Sequence, residues 1–281
     1  MMPALVILVF VGLVPFVYVL YVGYFDWNIF SKVHGMSWAG LNNYRKLVFD
    51  SAFNASLRRT ILFTVLTVSI EMVLGILIAN LLMIKIRGIN FFRAIHSIPL
   101  TVAPIALGAA WRLMTLPGMG PLPYYLQKMG LDFNIGRYAQ QAFFTTVIMD
   151  VWHWTPFITL TFLAGLSSLP KSPFESAMVD GAKGWQIQFY ITLPMLKPVI
   201  LTILFLRIMD ALRIVDEVWM LTGGGPGTAT RYIGIHIWRV VFPKTDYGYG
   251  SAMSVIILYF TIVLCWFLII IVTQSRKGVD R

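Results

Sequence analysis

Charged and aromatic side chains set inside long apolar runs are the residues of this chain best placed to do chemistry, because an ion in such a run must be paired or hydrated. One group is Arg207, Asp210, Arg213, Asp216 and Glu217. Three-residue steps put the first four on one helical stripe, where they can pair along the helix. The stripe reads either as a self-neutralising ladder or as contact with a polar solute, and both hold if it borders an aqueous cavity. A second group is Asp150, Trp152, His153, Trp154, Pro156 and Phe157. Aromatic faces stack on the C–H faces of sugar rings while carboxylates and guanidinium groups bind hydroxyls, the mixture expected of a small polar site. The plainer reading of Trp152 and Trp154 is an interfacial aromatic belt. His153, without a His or Cys partner nearby, reads as hydrogen-bonded structure rather than a metal ligand. Glu71, in the middle of another apolar run, reads first as a structural hydrogen bond to a neighbouring helix and second as a transport residue.

Catalytic constellations are missing. Four histidines and the single cysteine, Cys265, supply neither a nucleophile–base pair nor a metal set. The glycine run Gly223-Gly224-Gly225-Pro226-Gly227 lacks the Gly-Lys-Ser/Thr ending of a phosphate loop and reads as an open turn. With 58% hydrophobic and 12% charged residues and a mean hydropathy of +0.76, the chain belongs in a membrane. Its formal charge of +10 is spread beside the apolar runs. That placement suits membrane lipid and topology control, and no nucleic-acid function follows.

Runs of membrane-spanning length predict an all-α integral membrane protein with six transmembrane helices, at about 2–24, 61–83, 95–114, 143–166, 195–221 and 252–273, in one transmembrane domain, 1–281. The first run reads as a span rather than a signal peptide: it is too long, with no basic leader and no small-residue cleavage site. Pro99 and Pro104 should bend the third. Segments 84–93 (Lys85, Arg87, Arg93), 167–197 and 274–281 (Arg276, Lys277, Arg281) hold nine Lys/Arg in 49 residues, against ten in 92 for 24–59, 116–142 and 222–250. The denser set, including the C-terminus, is expected in the cytoplasm.

Between the fourth and fifth runs lies a polar excursion, 172–194, S-P-F-E-S-A-M-V-D-G-A-K-G-W-Q-I-Q-F-Y-I-T-L-P. Ser172, Pro173 and Glu175 predict a capped helix start, and Gly181 its end. Phe174, Ala177 and Met178 then share a face, to rest on lipid or to fill a groove on another protein. The excursion resembles the loop signature E-A-A-x(3)-G-x(9)-I-x-L-P of bacterial ABC importer permeases. Glu175, Ala177, Gly181, Ile191, Leu193 and Pro194 fall at their places, and Ser176 stands where the pattern prefers Ala. The flanking words W-H-W-T-P-F, R-I-M-D-A-L-R-I-V-D and L-T-G-G-G-P are similar to the carbohydrate-uptake branch, which includes maltose and glycerol-phosphate permeases.

This resemblance implies a permease of a bacterial inner membrane carrying a sugar or sugar-derived solute, working with a second homologous permease, two ATP-binding subunits and an extracytoplasmic solute-binding protein. No cofactor is implied in this chain; ATP and Mg2+ belong to the partner ATPases. It makes 172–194 the cytoplasmic coupling loop, with Glu175, Ala177, Asp180, Gly181, Ile191, Leu193 and Pro194 as coupling residues. Carried over by motif, Asp150, Trp154, Phe157, Arg207, Asp210 and Ala211 become candidate solute contacts. An ion-coupled secondary transporter would also account for intramembrane Asp and Arg, but leaves the excursion unexplained.

Overall fold

The computed structural model describes residues 7, 9–30, 35–84 and 87–277, with side chains as far as residue 270. Residues 2–6 and 8 of the first expected span, with Lys85 and Arg281, lie outside the described residues.

In chain order, a π turn (Val9–Leu13) leads into α1 (Val14–Val22), and a two-stranded antiparallel ribbon follows, β1 (Phe25–Asp26) with β2 (Ser37–Trp38). The helices α2 (Asn42–Phe49), α3 (Ser51–Leu82), α4 (Ile89–Ser97), α5 (Pro104–Thr115), α6 (Pro121–Lys128) and α7 (Ala139–Ser167) come next. The excursion comprises α8 (Ser172–Val179), α9 (Gly184–Ile187), a π turn (Gln188–Thr192) and the turn Leu193–Met195. The chain continues as α10 (Lys197–Ala211), α11 (Asp216–Thr222), α12 (Ile233–Val241) and α13 (Tyr247–Lys277).

Among the described residues, Ser51–Leu82, Ala139–Ser167 and Tyr247–Ile270 are each long and apolar enough to cross a membrane. The count rises to five if each of two sharply bent helix pairs forms one span. One pair, Ile89–Thr101 with Pro104–Thr115, turns through 97°. The prolines of the third run therefore break it outright, since neither ring nitrogen can donate to the ladder. The expected continuous fifth span is also corrected: α10 ends at Ala211 and α11 restarts at Asp216, after Val215 leaves helical geometry (φ −142°, ψ −61°). The second span's helix begins ten residues before Ile61, because Asp50 caps it: its Oδ1 accepts from the N–H groups of Ala52 (2.8 Å) and Phe53 (3.0 Å).

The chain forms two compact units, one of Met1–Ile61 with Arg231–Leu264 and one of Leu62–Thr230 with Cys265–Arg281. The first is centred on Leu47, Phe53, Ile233, Val240, Ala252 and Met253. Polar ties reinforce it. Asn43 Nδ2 donates to the carbonyls of Gly23 (3.1 Å) and Phe25 (2.8 Å), and Thr60 Oγ1 accepts from Ile233 N–H (2.8 Å). Tyr249 Oη donates to Asp50 Oδ2 (2.6 Å). Burial opposes ionisation of Asp50, but the donors Tyr249, Phe53 and Ala52 outweigh it and hold its carboxyl below the usual range. Burial pushes the His236 imidazole down, and its Nε2 finds no partner.

The second unit packs Ala79 and Leu82 of α3, Ile158, Phe162 and Leu163 of α7, and Leu196 and Ile203 around α10 into one core. Small residues permit the close crossings that membrane helices need. Gly75 of α3 faces the Ile158 side chain, where an added Cβ would collide. Gly108 of α5 lies against the Glu217 backbone carbonyl of α11, with no room for any side chain.

Candidate functional site

The second unit brings together charges that the sequence scatters over 140 positions. Arg207 leaves the inner face of α10 and is 1% exposed. Its Nε donates to Glu71 Oε2 (2.7 Å) and its Nη2 to Glu71 Oε1 (2.9 Å), a bidentate fork onto α3. Nη2 also donates to Asp150 Oδ2 of α7 (3.0 Å), and Nη1 to Asp210 Oδ2 one turn ahead (2.8 Å). The guanidinium carbon lies 4.5 Å from the centroid of the Trp154 ring, in cation–π geometry. Glu71 and Asp150 are 0% and 2% exposed, whereas Asp210 is 45% exposed.

Such a site holds three helices in register. Removing one partner from a buried ion pair leaves an uncompensated charge and costs about 3–5 kcal/mol. The aromatic rim is ordered too: Trp154 meets Phe157 edge-on at 6.0 Å and His153 at 5.2 Å. Phe157 packs against the core of the unit, and Ala211 is buried. Threonine hydroxyls around Pro156 turn back on their own helix, Thr155 Oγ1 to Val151 O (2.6 Å) and Thr159 Oγ1 to Thr155 O (2.9 Å), so they remain satisfied without water.

The expected ladder along the fifth run is corrected. Only its first rung, Arg207–Asp210, forms within the helix. Arg213 lies past the end of α10, where its Nε donates to Met209 O (3.3 Å), and Asp216 opens α11. The stripe stops because the helix stops. Glu71 makes the structural hydrogen bond to a neighbouring helix that its position suggested, but its partner was hidden, since nothing in a one-dimensional pattern pairs residue 71 with residue 207.

The excursion is formed as helix, turn, helix. Its start is corrected: Ser172 is already helical, Lys171 occupies the cap position, and no side chain caps the helix, so the Ser172–Glu175 box does not form. Its end follows expectation. Gly181 takes φ +74°, Gly181 N–H donates to Met178 O (3.1 Å) and Ala182 N–H to Ala177 O (2.9 Å), the paired bonds of a Schellman cap. The next turn is held by Gln186 Oε1, which accepts from Lys183 N–H (2.7 Å). Phe174 and Ala177 are half-buried, Met178 is exposed, and Val179 is 88% exposed. Trp185, Phe189 and Tyr190 are also exposed. Leu193 packs on the core of the second unit, and Ile191 is half-buried beside buried Thr192.

Residues 71–281 match the family described as binding-protein-dependent transport system inner membrane component. This chain belongs to that family. The match begins at Glu71 and takes in the whole cluster and the excursion, and it sets aside the ion-coupled carrier. The chain is 40% identical to the trehalose/maltose transport system permease protein MalF of Thermococcus litoralis, over 80% of this chain and 77% of that protein. It is 32% identical to the sn-glycerol-3-phosphate transport system permease protein UgpA of Agrobacterium fabrum, over 82% and 79%. A bacterial alginate ABC transporter, solved with an alginate pentasaccharide-bound periplasmic protein, has a chain of the same fold, with a TM-score of 0.81 at 20% identity over 95% of this chain and 90% of that one. The permease is thus a transport component rather than an enzyme.

Proposed function

We propose that this permease is one half of the translocation path of an ABC importer for a sugar or sugar-derived solute. A second homologous permease supplies the other half, and the single transmembrane domain counts six spans when the two bent pairs and the short apolar segment Val9–Val22 are each taken as one. Two partner subunits bind and hydrolyse ATP with Mg2+, and an extracytoplasmic solute-binding protein delivers the solute. The excursion 172–194 lies in the cytoplasm with the C-terminus and docks on an ATP-binding subunit. Closure of the ATPase pair moves the excursion. Through Leu193 and Pro194 that motion reaches α10, and through Arg207 it reaches α3 and α7. Alternating access is then a two-state packing biased by a ligand bound elsewhere.

The observation that carries this reading is the excursion itself, an ordered helix–turn–helix with Met178, Val179, Trp185, Phe189 and Tyr190 bare. Ordered apolar side chains on a polar segment mark a surface for a partner. Glu175, Asp180 and Gly181 lie on that surface, where Gly181 supplies the left-handed turn and lets a second backbone approach. The test is Gly181→Asp in the assembled importer. Uptake is expected to fall to background while the permease stays in the membrane at wild-type level. Retained uptake with solute-coupled ATPase activity would remove the docking assignment.

A further inference from the structure

The solutes in the names of the trehalose/maltose and glycerol-phosphate relatives differ in charge as well as in size, and the buried cluster bears on the charge. Arginine, with its planar fork of donors, is well suited to receive a phosphate or carboxylate. Here all three guanidinium nitrogens of Arg207 already donate to carboxylates, its π contact is with Trp154, and its side chain is 1% exposed. Glu217, buried on α11, adds a further carboxyl within electrostatic reach of Asp150 and Asp210. What the cluster leaves open is the half-exposed carboxylate of Asp210, alongside half-buried Trp154 and Phe157. A carboxylate accepts hydrogen bonds from hydroxyl groups and repels an anion.

We propose that Asp210 makes this permease selective for uncharged, hydroxyl-rich solutes: their O–H groups donate to Asp210, their C–H faces lie on Trp154 and Phe157, and phosphorylated or carboxylated solutes are turned away. The proposal rests on the sugar-importer reading and sharpens it. Glu71 and Asp150 are positioning residues, since they act only by occupying Arg207.

The test uses the assembled membrane complex in lipid nanodiscs without the binding protein, so that the membrane subunits alone choose. Equilibrium dialysis compares radiolabelled trehalose with trehalose 6-phosphate, and glycerol with glycerol 3-phosphate. The uncharged member of each pair is expected to bind about tenfold more tightly or better, the scale of one like-charge repulsion at short range. Asp210→Asn, which keeps an acceptor and loses the charge, should narrow that preference to about threefold or less, and Asp210→Glu should keep it. Equal or tighter binding of the phosphates, or a preference unchanged in Asp210→Asn, overturns the charge filter and leaves the sugar-importer reading standing. Binding of neither member of either pair also overturns Asp210 as a solute contact in the membrane subunits, while the sugar-importer reading is judged separately by solute-stimulated ATPase activity with the binding protein present.

Discussion

Arg207 and Val179 mark opposite extremes of one unit, 1% and 88% exposed. Around Arg207, charges sit largely inside the unit and satisfy one another across α3, α7 and α10. Around Val179, apolar side chains sit where the chain supplies no cover. Each arrangement goes against the ordinary preference of its residue type. The cluster resolves the conflict internally, by ion pairs and a π contact. The excursion leaves it unresolved, and that is how a chain displays a need for another protein. Closed chemistry holds helices in register; open chemistry leaves a surface, the one proposed above for coupling.

Separating the two regions experimentally should give effects of very different size. Arg207→Ala leaves Glu71 and Asp150 buried without their cation and should destabilise the protein by about 3–5 kcal/mol. A fall in yield and in the apparent melting temperature of the detergent-solubilised protein would report it. Replacing Gly108 by Leu comes next, at about 1–3 kcal/mol or more, since the Glu217 carbonyl occupies the space. The same melting assay reads it, and a wild-type melting curve would show that α5 and α11 do not cross as described. Val179→Ser should change stability by no more than about 0.5 kcal/mol while lowering uptake, because its side chain is exposed in the isolated chain. Equal losses of stability from Val179→Ser and Arg207→Ala would erase the contrast between the two regions.

A separate effect is that of pH, read in the other unit. His236 is depressed by burial, so the unfolded chain takes up its proton first. Stability is therefore complete above the ordinary histidine value of 6.5 and is lost as pH falls from there toward the folded value. The Asp50 carboxyl, held low by Tyr249 and the two backbone donors, keeps its contribution until pH falls below the ordinary carboxylate value of 3.8. Melting temperatures at pH 7.5 and 5 should differ by a few degrees in the wild type and less in His236→Gln. A flat profile in the wild type would show that His236 is hydrated.

Much of this protein was legible before its structure. Hydropathy is additive along a chain, so the apolar runs 61–83, 143–166 and 252–273 could be read from it, and the longer helices Ser51–Leu82, Ala139–Ser167 and Tyr247–Lys277 form over them. Gly181 announced the end of α8 because few other residues accept its backbone angles. Gly223 did the same for α11, at φ +60°. The break of the fifth run at Leu212–Val215 carried no such signal, since Leu-Arg-Ile-Val-Asp contains neither Gly nor Pro.

Class of protein, family and excursion are all written in short-range composition and spacing. Which charges meet is settled by packing. A bidentate pair between Glu71 and Arg207 depends on α3, α7 and α10 approaching within side-chain reach, and that approach is a property of three packed surfaces, not of any one segment.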